Sequence, residues 1–337
     1  MSTTAGVFDE TTLYAIQARA DELLLDDRIK QQFIPNYDVL KAISAVQTAN
    51  INPLVAGKDK EVDVIWQNVC GTTVESDSAC TFDCNKSSTN KETLSLTYEK
   101  KVDFCEDESD YIDNAFNLQD AVAKQLLSAE KNLIEDFAQY AVSVINANKG
   151  VNAATGKGTV SGADTYVPAT MWDYTLMAYF AKCGVVNKFT NPVILSGQNL
   201  FESSLVAGYN MASQAGAANK AFGTFPTYFD LFNIDTINDP DFVTYLLSMG
   251  SLAMASKTYN PANPEIVPNV FTRYSMPSKF VPGLNFDVWT KAECSLRNMV
   301  KYSFKVRLTA DVFANPAGCT STNTGILSFI CGVPSLQ

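Results

Sequence analysis

The stretch TLSLTYEKKVDFCEDESDYIDNAFNLQDAVAKQLLSAEKNLIEDFAQYAVSVINANKG, residues 93–150, carries the two patterns from which the fold is read. In its first part Leu94, Leu96, Tyr98, Val102 and Phe104 alternate with Thr93, Ser95, Thr97, Glu99, Lys101 and Asp103. That period of two predicts one long strand with a single wet face. In its second part Val122, Leu126, Ala129, Leu133, Phe137, Ala141 and Ile145 recur at steps of three and four, with Asp120, Lys124, Glu130, Lys131 and Glu135 on the other sides. That period predicts an amphipathic helix, started by Asn114 or Asn117 and closed by Gly150. About thirty residues at this rise make a rod of roughly 45 Å, more a spine than one wall of a pocket.

Upstream, Val62, Val64 and Trp66 alternate with Asp63, Ile65 and Gln67, and residues 71–92 are rich in Ser, Thr, Asp and Asn. Together with the strand after residue 93 they predict a long hairpin with a polar tip. It holds too few large apolar residues to stand alone, so Tyr98 and Phe104 are expected on a face offered to a neighbour. The first fifty residues read as helical, with Leu13, Ile16, Ala20, Leu23 and Leu24 on one face and Asp9 or Thr11 as cap. After Pro35, Val39, Leu40, Ile43 and Val46 predict a second short helix. This is an arm expected to lie on something else.

Downstream, residues 150–166 read as a Gly, Thr, Asn and Ala connector. A helix follows through Trp172, Leu176, Tyr179 and Phe180, ended by Gly184. Then come a strand at Pro192 to Leu195 and a helix capped by Ser196 running to about Ser213. Phe225, Tyr228, Leu231 and Ile234 suggest a strand, and two apolar runs, Phe242 to Leu247 and Leu252 to Ala255, are broken at Gly250. Short strands and helices in this order indicate an α+β domain. Pro261, Pro264 and Pro268 mark a boundary. Beyond it Leu284, Phe286 and Val288, and then Tyr302, Phe304, Val306 and Leu308, alternate with polar residues and predict strands for the spine helix to pack on.

Composition removes many functions. The chain has 337 residues and no histidine, so Ser-His-Asp and Cys-His catalysis and histidine metal sites are absent. A formal net charge of −11 argues against broad nucleic-acid binding, which needs clustered Lys and Arg. No stretch has the order of a signal peptide or the length of a membrane span, so no membrane partner is expected. No cofactor, metal or catalytic residue is assigned, and an enzyme is not expected. Gly156-Lys157-Gly158-Thr159 fails as a phosphate loop on spacing, on Gly158 at the Mg²⁺-binding position, and on following a helix; it reads as a flexible connector. Cys70, Cys80, Cys84 and Cys105 all fall in the hairpin, where free thiols, later disulfides and zinc stay open as alternatives. Cys183 reads as a packing residue, and Cys294, Cys319 and Cys331 are scattered. The acidic run Glu106, Asp107, Glu108, Asp110 and Asp113 lacks EF-hand spacing and reads as a solvated turn, as do Asp235, Asp239 and Asp241.

The order of parts resembles the major capsid proteins of tailed bacteriophages, the Hong Kong 97-like fold. Two textures add to it: Asn191-Pro192-Val193-Ile194-Leu195-Ser196 before a helix, and Gly250-Ser251-Leu252-Ala253. The resemblance implies an N-terminal arm (1–55), an extended β-hairpin loop (56–110), a peripheral domain with the spine helix (111–164), a mixed axial domain (165–269) and peripheral return strands (270–337). It implies a structural protein, assembling as hexamers and pentamers into an icosahedral virion shell around double-stranded DNA, without sequence-specific binding. Hairpin and arm would bury their apolar faces on a neighbouring subunit. Portal, scaffolding and decoration proteins would be partners, the scaffold either cleaved from the chain or encoded separately, and assembly would take place in the host cytoplasm. Alternatives are an encapsulin-like nanocompartment shell or another virion part, such as a tail or adhesion protein. Some members crosslink a hairpin Lys to a neighbour's Asn; Lys86, Lys91, Lys100 and Lys101 are present, and nothing selects one.

Overall fold

The arm is helical, as its periodicity predicts, but in three pieces: α1 (Glu10–Leu23), α2 (Asp27–Phe33) and α3 (Asp38–Val46). The computed structural model describes residues 10–47, 61–68, 88–111, 117–172, 175–210, 225–238, 242–267, 270–294, 299–315 and 324–332. Leu13, Ile16, Ala20 and Leu23 form the buried face of α1. Thr11 lies inside that helix rather than capping it, and Asp9 lies outside the described residues. α2 has no fully buried residue, only Ile29 and Phe33 half-buried against the core, so its apolar period is weak; the Asp26 side chain starts it by accepting the Arg28 N–H.

The expected long strand is two strands. β1 (Glu61–Asn68) pairs antiparallel with β2 (Ser88–Ser95), and after a break at Leu96–Thr97 the chain resumes as β3 (Tyr98–Asp107). Then come α4 (Leu118–Ala147), β4 (Thr159–Ser161), β5 (Asp164–Val167), α5 (Leu176–Val186), β6 (Val193–Ser196) and α6 (Gln198–Asn210). β7 (Thr227–Phe229), α7 (Asn233–Asn238), β8 (Val243–Leu247) and β9 (Leu252–Ser256) complete the middle of the chain. The last third is all strand: β10 (Glu265–Val267), β11 (Phe271–Pro277), β12 (Asn285–Cys294), β13 (Val300–Ala314) and β14 (Ile326–Cys331).

Two six-stranded sheets organise these elements. The central sheet is antiparallel, in the order β10-β11-β12-β13-β3, with β9 pairing the far end of β13. The second runs β4-β5-β14-β8-β6-β7 and is mixed, β5–β14 and β6–β7 being its parallel pairs. The class is α+β. β14 leaves the return strands to join the second sheet, and β9 leaves the middle segment to join the central one, so the sheets interlock along the chain.

Alternation on the central strands gives one apolar face. Phe286 lies opposite Leu308, Val288 opposite Val306 and Phe104 opposite Phe304. These residues share one core with the predicted face of α4, Val122 through Ile145, and with α1 and α3. Asn117 accepts the Gln119 N–H at 3.1 Å and caps α4; Asn114 lies outside the described residues. At the other end Asn148, not Gly150, is the cap, its side-chain amide donating to the Val144 carbonyl at 2.8 Å. The Gly150 N–H donates to Ile326 instead, tying the helix end to β14.

One polar residue of α4 breaks the pattern. Glu130 is only 1% exposed and accepts hydrogen bonds from Ser278 Oγ at 2.7 Å and the Lys279 N–H at 2.6 Å. Burial pushes its carboxyl up to about 7, because those hydrogen bonds offset only part of the lost hydration.

The second sheet corrects several local expectations. The connector 150–166 contains the β4–β5 hairpin, turned at Gly162, whose φ is 62°. α5 runs through Gly184 and stops at Asn187, whose side chain donates to the Cys183 carbonyl, while Trp172 precedes the helix. Ile234 is helical because the Asp230 carboxylate accepts the Asn233 N–H at 2.9 Å and starts α7. Ser196 does not cap α6: its hydroxyl meets Thr244 Oγ1 at 2.6 Å inside the sheet. The cap comes from Asp235 on α7, which accepts the Gln198 N–H at 2.9 Å, so Asp235 is no free solvated acid. Asp239 and Asp241 lie outside the described residues.

Two outcomes follow from these packings. A Cβ on Gly197 would sit 2.0 Å from Asp235 Oδ1, so Gly197→Ala should cost roughly 1–3 kcal/mol in denaturant unfolding. Because Glu130 binds its proton more tightly folded than unfolded, its contribution is fully present below pH 4.5 and is lost as pH rises through about 7. The loss is on the order of 3 kcal/mol over that interval, and Glu130→Gln should flatten the stability–pH curve there.

Candidate assembly interface

The β1–β2 ribbon is a sheet of its own, and among the described residues it pairs with no other strand. Its root is anchored within the chain. Val62 and Leu96 are buried against Ala253 and Ala255 of β9 and Phe313 of β13, with Leu94 half-buried beside them. The expectation that the whole hairpin rests on a neighbour is therefore corrected at its root.

It is corrected again at Tyr98 and Phe104, which belong to the body. Tyr98 donates its hydroxyl proton to Asp136 at 2.8 Å, and its ring lies 4.9 Å from Phe137 and 5.2 Å from Tyr140 on α4. Phe104 stacks on Phe304 at 4.8 Å with the ring planes 9° apart. β3 is an edge strand whose outer positions Glu99, Lys100, Lys101 and Asp103 are charged, a composition that discourages another strand from adding there.

The arm is likewise covered by its own chain. Arg19 pairs with Asp120 at 2.5 Å, and Lys279 reaches Asp21 at 2.5 Å. The start of α3 is held by Asp230, which accepts the Val39 N–H at 3.2 Å, and its end by the Gly250 N–H donating to the Val46 carbonyl at 2.7 Å. Even so, Tyr14, Leu25 and Ile34 of the arm stay exposed, as do Leu231, Phe232, Ile237 and Phe242 around α7, and Val185 and Met249 at the ends of α5 and β8.

The outer face of the central sheet is polar and internally neutralised. Arg307 donates to Glu99 at 3.0 Å and to the buried Asp287 at 2.8 Å, and lies 4.7 Å over Trp289. A groove of about 550 Å³ on this sheet is lined by Phe104, Cys105, Phe271, Trp289, Phe304 and Lys305.

The residues weighed for chemistry are dispersed. Lys157 donates to Thr175 Oγ1, and Gly158 is packed where a Cβ would come 2.5 Å from Thr165 Cγ2, so this segment is a fitted turn rather than a flexible connector. Cys105 is exposed on β3, Cys331 is half-buried, and Cys183 is buried in α5, where burial raises its thiol pKa. Cys294 lies in β12; Cys70, Cys80, Cys84 and Cys319 lie outside the described residues. In the acidic run, Glu106 accepts from the Tyr111 hydroxyl at 2.5 Å, Asp107 from the Ser109 N–H at 3.0 Å and Glu108 from the Val300 N–H at 3.2 Å. No group of three metal-ligating side chains occurs among the described residues, and no helix there is long and apolar enough to cross a membrane. The residues that the sequence did not announce are buried acids: Glu130, Asp230, Asp287 and Asp311. A lone acid within an apolar strand, as in Ala310-Asp311-Val312, is the signal that points to such a residue.

No family model and no curated protein matches the sequence. Solved structures do resemble it. One from Mycobacterium phage Che8 is 14% identical, with a TM-score of 0.46 over 81% of this chain and 85% of that one. One of the capsid of cyanophage P-SCSP1u is 6% identical, with a TM-score of 0.45 over 83% and 85%. One of the mature capsid of bacteriophage PhiM1 is 9% identical, with a TM-score of 0.42 over 83% of each chain.

The placement of Tyr98 reverses a simple expectation for mutants. Tyr98→Ser should destabilise the unassembled chain by about 3–5 kcal/mol, since it removes a buried ring from the α4 contact. Phe104→Ser, at a half-buried edge position, should cost less, as guanidinium unfolding of both variants will read.

Proposed function

We propose that this chain is the shell-building subunit of a tailed-phage capsid with the Hong Kong 97-like fold. The observation that carries the reading is the β1–β2 ribbon, anchored at its root and paired only with itself among the described residues. A two-stranded ribbon is marginal in water unless a further surface covers it. A symmetric shell supplies that surface from the next copy of the same chain. The uncovered apolar side chains around α7 and at Val185 and Met249 fit the same need on the second sheet.

In this reading α4 and the central sheet are the peripheral domain, the second sheet is the axial domain, and the ribbon is the extended loop. Copies gather as hexamers and pentamers and close into an icosahedral virion shell, built in the host cytoplasm around double-stranded DNA. The net charge of −11 keeps packaged DNA from adhering to the wall. A portal and a scaffold would be its partners, with decoration proteins outside. The chain's role is structural, with no reaction of its own.

The test is electron microscopy of the purified full chain at high concentration across a range of salt and pH. Closed shells of megadalton mass are the expected outcome. A chain that stays monomeric in every condition would end the proposal.

A further inference from the structure

We infer that Asp311 is the positioning residue that fixes the direction in which the β1–β2 ribbon leaves the body; this rests on the shell-building reading. The ladder between β3 and β13 ends with Tyr98 opposite Ala310. One step further, Thr97 would face Asp311. There the ladder is replaced by a side-chain clamp. Asp311 Oδ2 accepts both the Thr97 N–H and the Thr97 hydroxyl, each at 2.7 Å. Asp311 Oδ1 accepts the Tyr140 hydroxyl of α4 at 2.7 Å and the Val312 N–H at 2.8 Å.

The carboxylate is 3% exposed, and no Lys or Arg pairs with it among the described residues. A buried charge without a counter-ion is costly unless every lone pair is used, and here four donors meet it. Its orientation is therefore fixed by α4 and by β13, and it passes that orientation to Thr97. The next residue towards the ribbon, Leu96, is locked in the small cluster with Val62, Ala253, Ala255 and Phe313. Two consecutive residues are thus held, one by hydrogen bonds and one by packing, at the point where the chain turns out of the sheet. Small angular changes there are magnified along a ribbon of eight residue pairs.

Asp311→Asn tests this closely. An amide in place of the carboxylate sets an NH₂ against a backbone N–H that can only donate, that of Thr97 or that of Val312, in either orientation. Closed particles should fall by roughly tenfold and their diameters should spread, while hydrogen exchange at the Thr97 amide should accelerate by roughly tenfold with α4 amides unchanged. Thr97→Ser, which keeps the hydroxyl, should assemble like the parent. Thr97→Val, which removes one exposed donor and leaves the core intact, should show a smaller loss in the same direction and decides the matter if Asp311→Asn does not fold. Parent-like yield and diameter for the variants would overturn the inference. So would exchange that speeds up equally in α4 and the central sheet, since that is general destabilisation. A parent that forms no shells defeats the functional reading instead, and Thr97 exchange still reports on the clamp.

Discussion

The largest core of the molecule is the contact between α4 and the apolar face of the central sheet. A thirty-residue helix with a continuous buried stripe lies on β3 and β13 and shares one core with the rest of the sheet's apolar face, and the arm closes over it. The hydrophobic driving force is non-directional, so it fixes the sandwich but not its details. Polar side chains inside it set the details. Glu130 joins the helix to the turn before β12, and Asp136 and Tyr140 hold the start of β3 and the end of the ladder.

The buried acids share a logic. Asp230, Asp287 and Asp311 each accept two backbone N–H groups, at least one of them from a segment distant in sequence, and so each ties two parts of the chain together. Asp230 joins the start of α3 to the start of α7. Asp287 gathers the N–H groups of Tyr259 and Asn260 and the guanidinium of Arg307, holding the proline-rich crossover onto the outer face of the sheet. Interiors tolerate such charges only when every lone pair is used, so these positions demand geometry that a softer side chain would not impose.

The same economy separates what the single chain covers from what it leaves. The arm and the root of the ribbon find partners within the chain, while side chains around α7 remain in water.

Periodicity determined the helices α1, α3 and α4, the apolar faces of β12 and β13, and the apolar runs split at Gly250, because burial of one face repeats along an element and is written into consecutive residues. Histidine content removed histidine-based catalysis and histidine metal sites. Tertiary structure decided that the strand through residues 93–105 divides at Thr97, that Tyr98 belongs to the body, that β9 and β14 exchange sheets, and that Glu130 lies inside. Each of those outcomes depends on a residue far along the chain, Asp311, Phe137, Ala314 or Ser278, that supplies a partner at a particular distance. Local pattern records which face is greasy; it holds no record of what will meet that face.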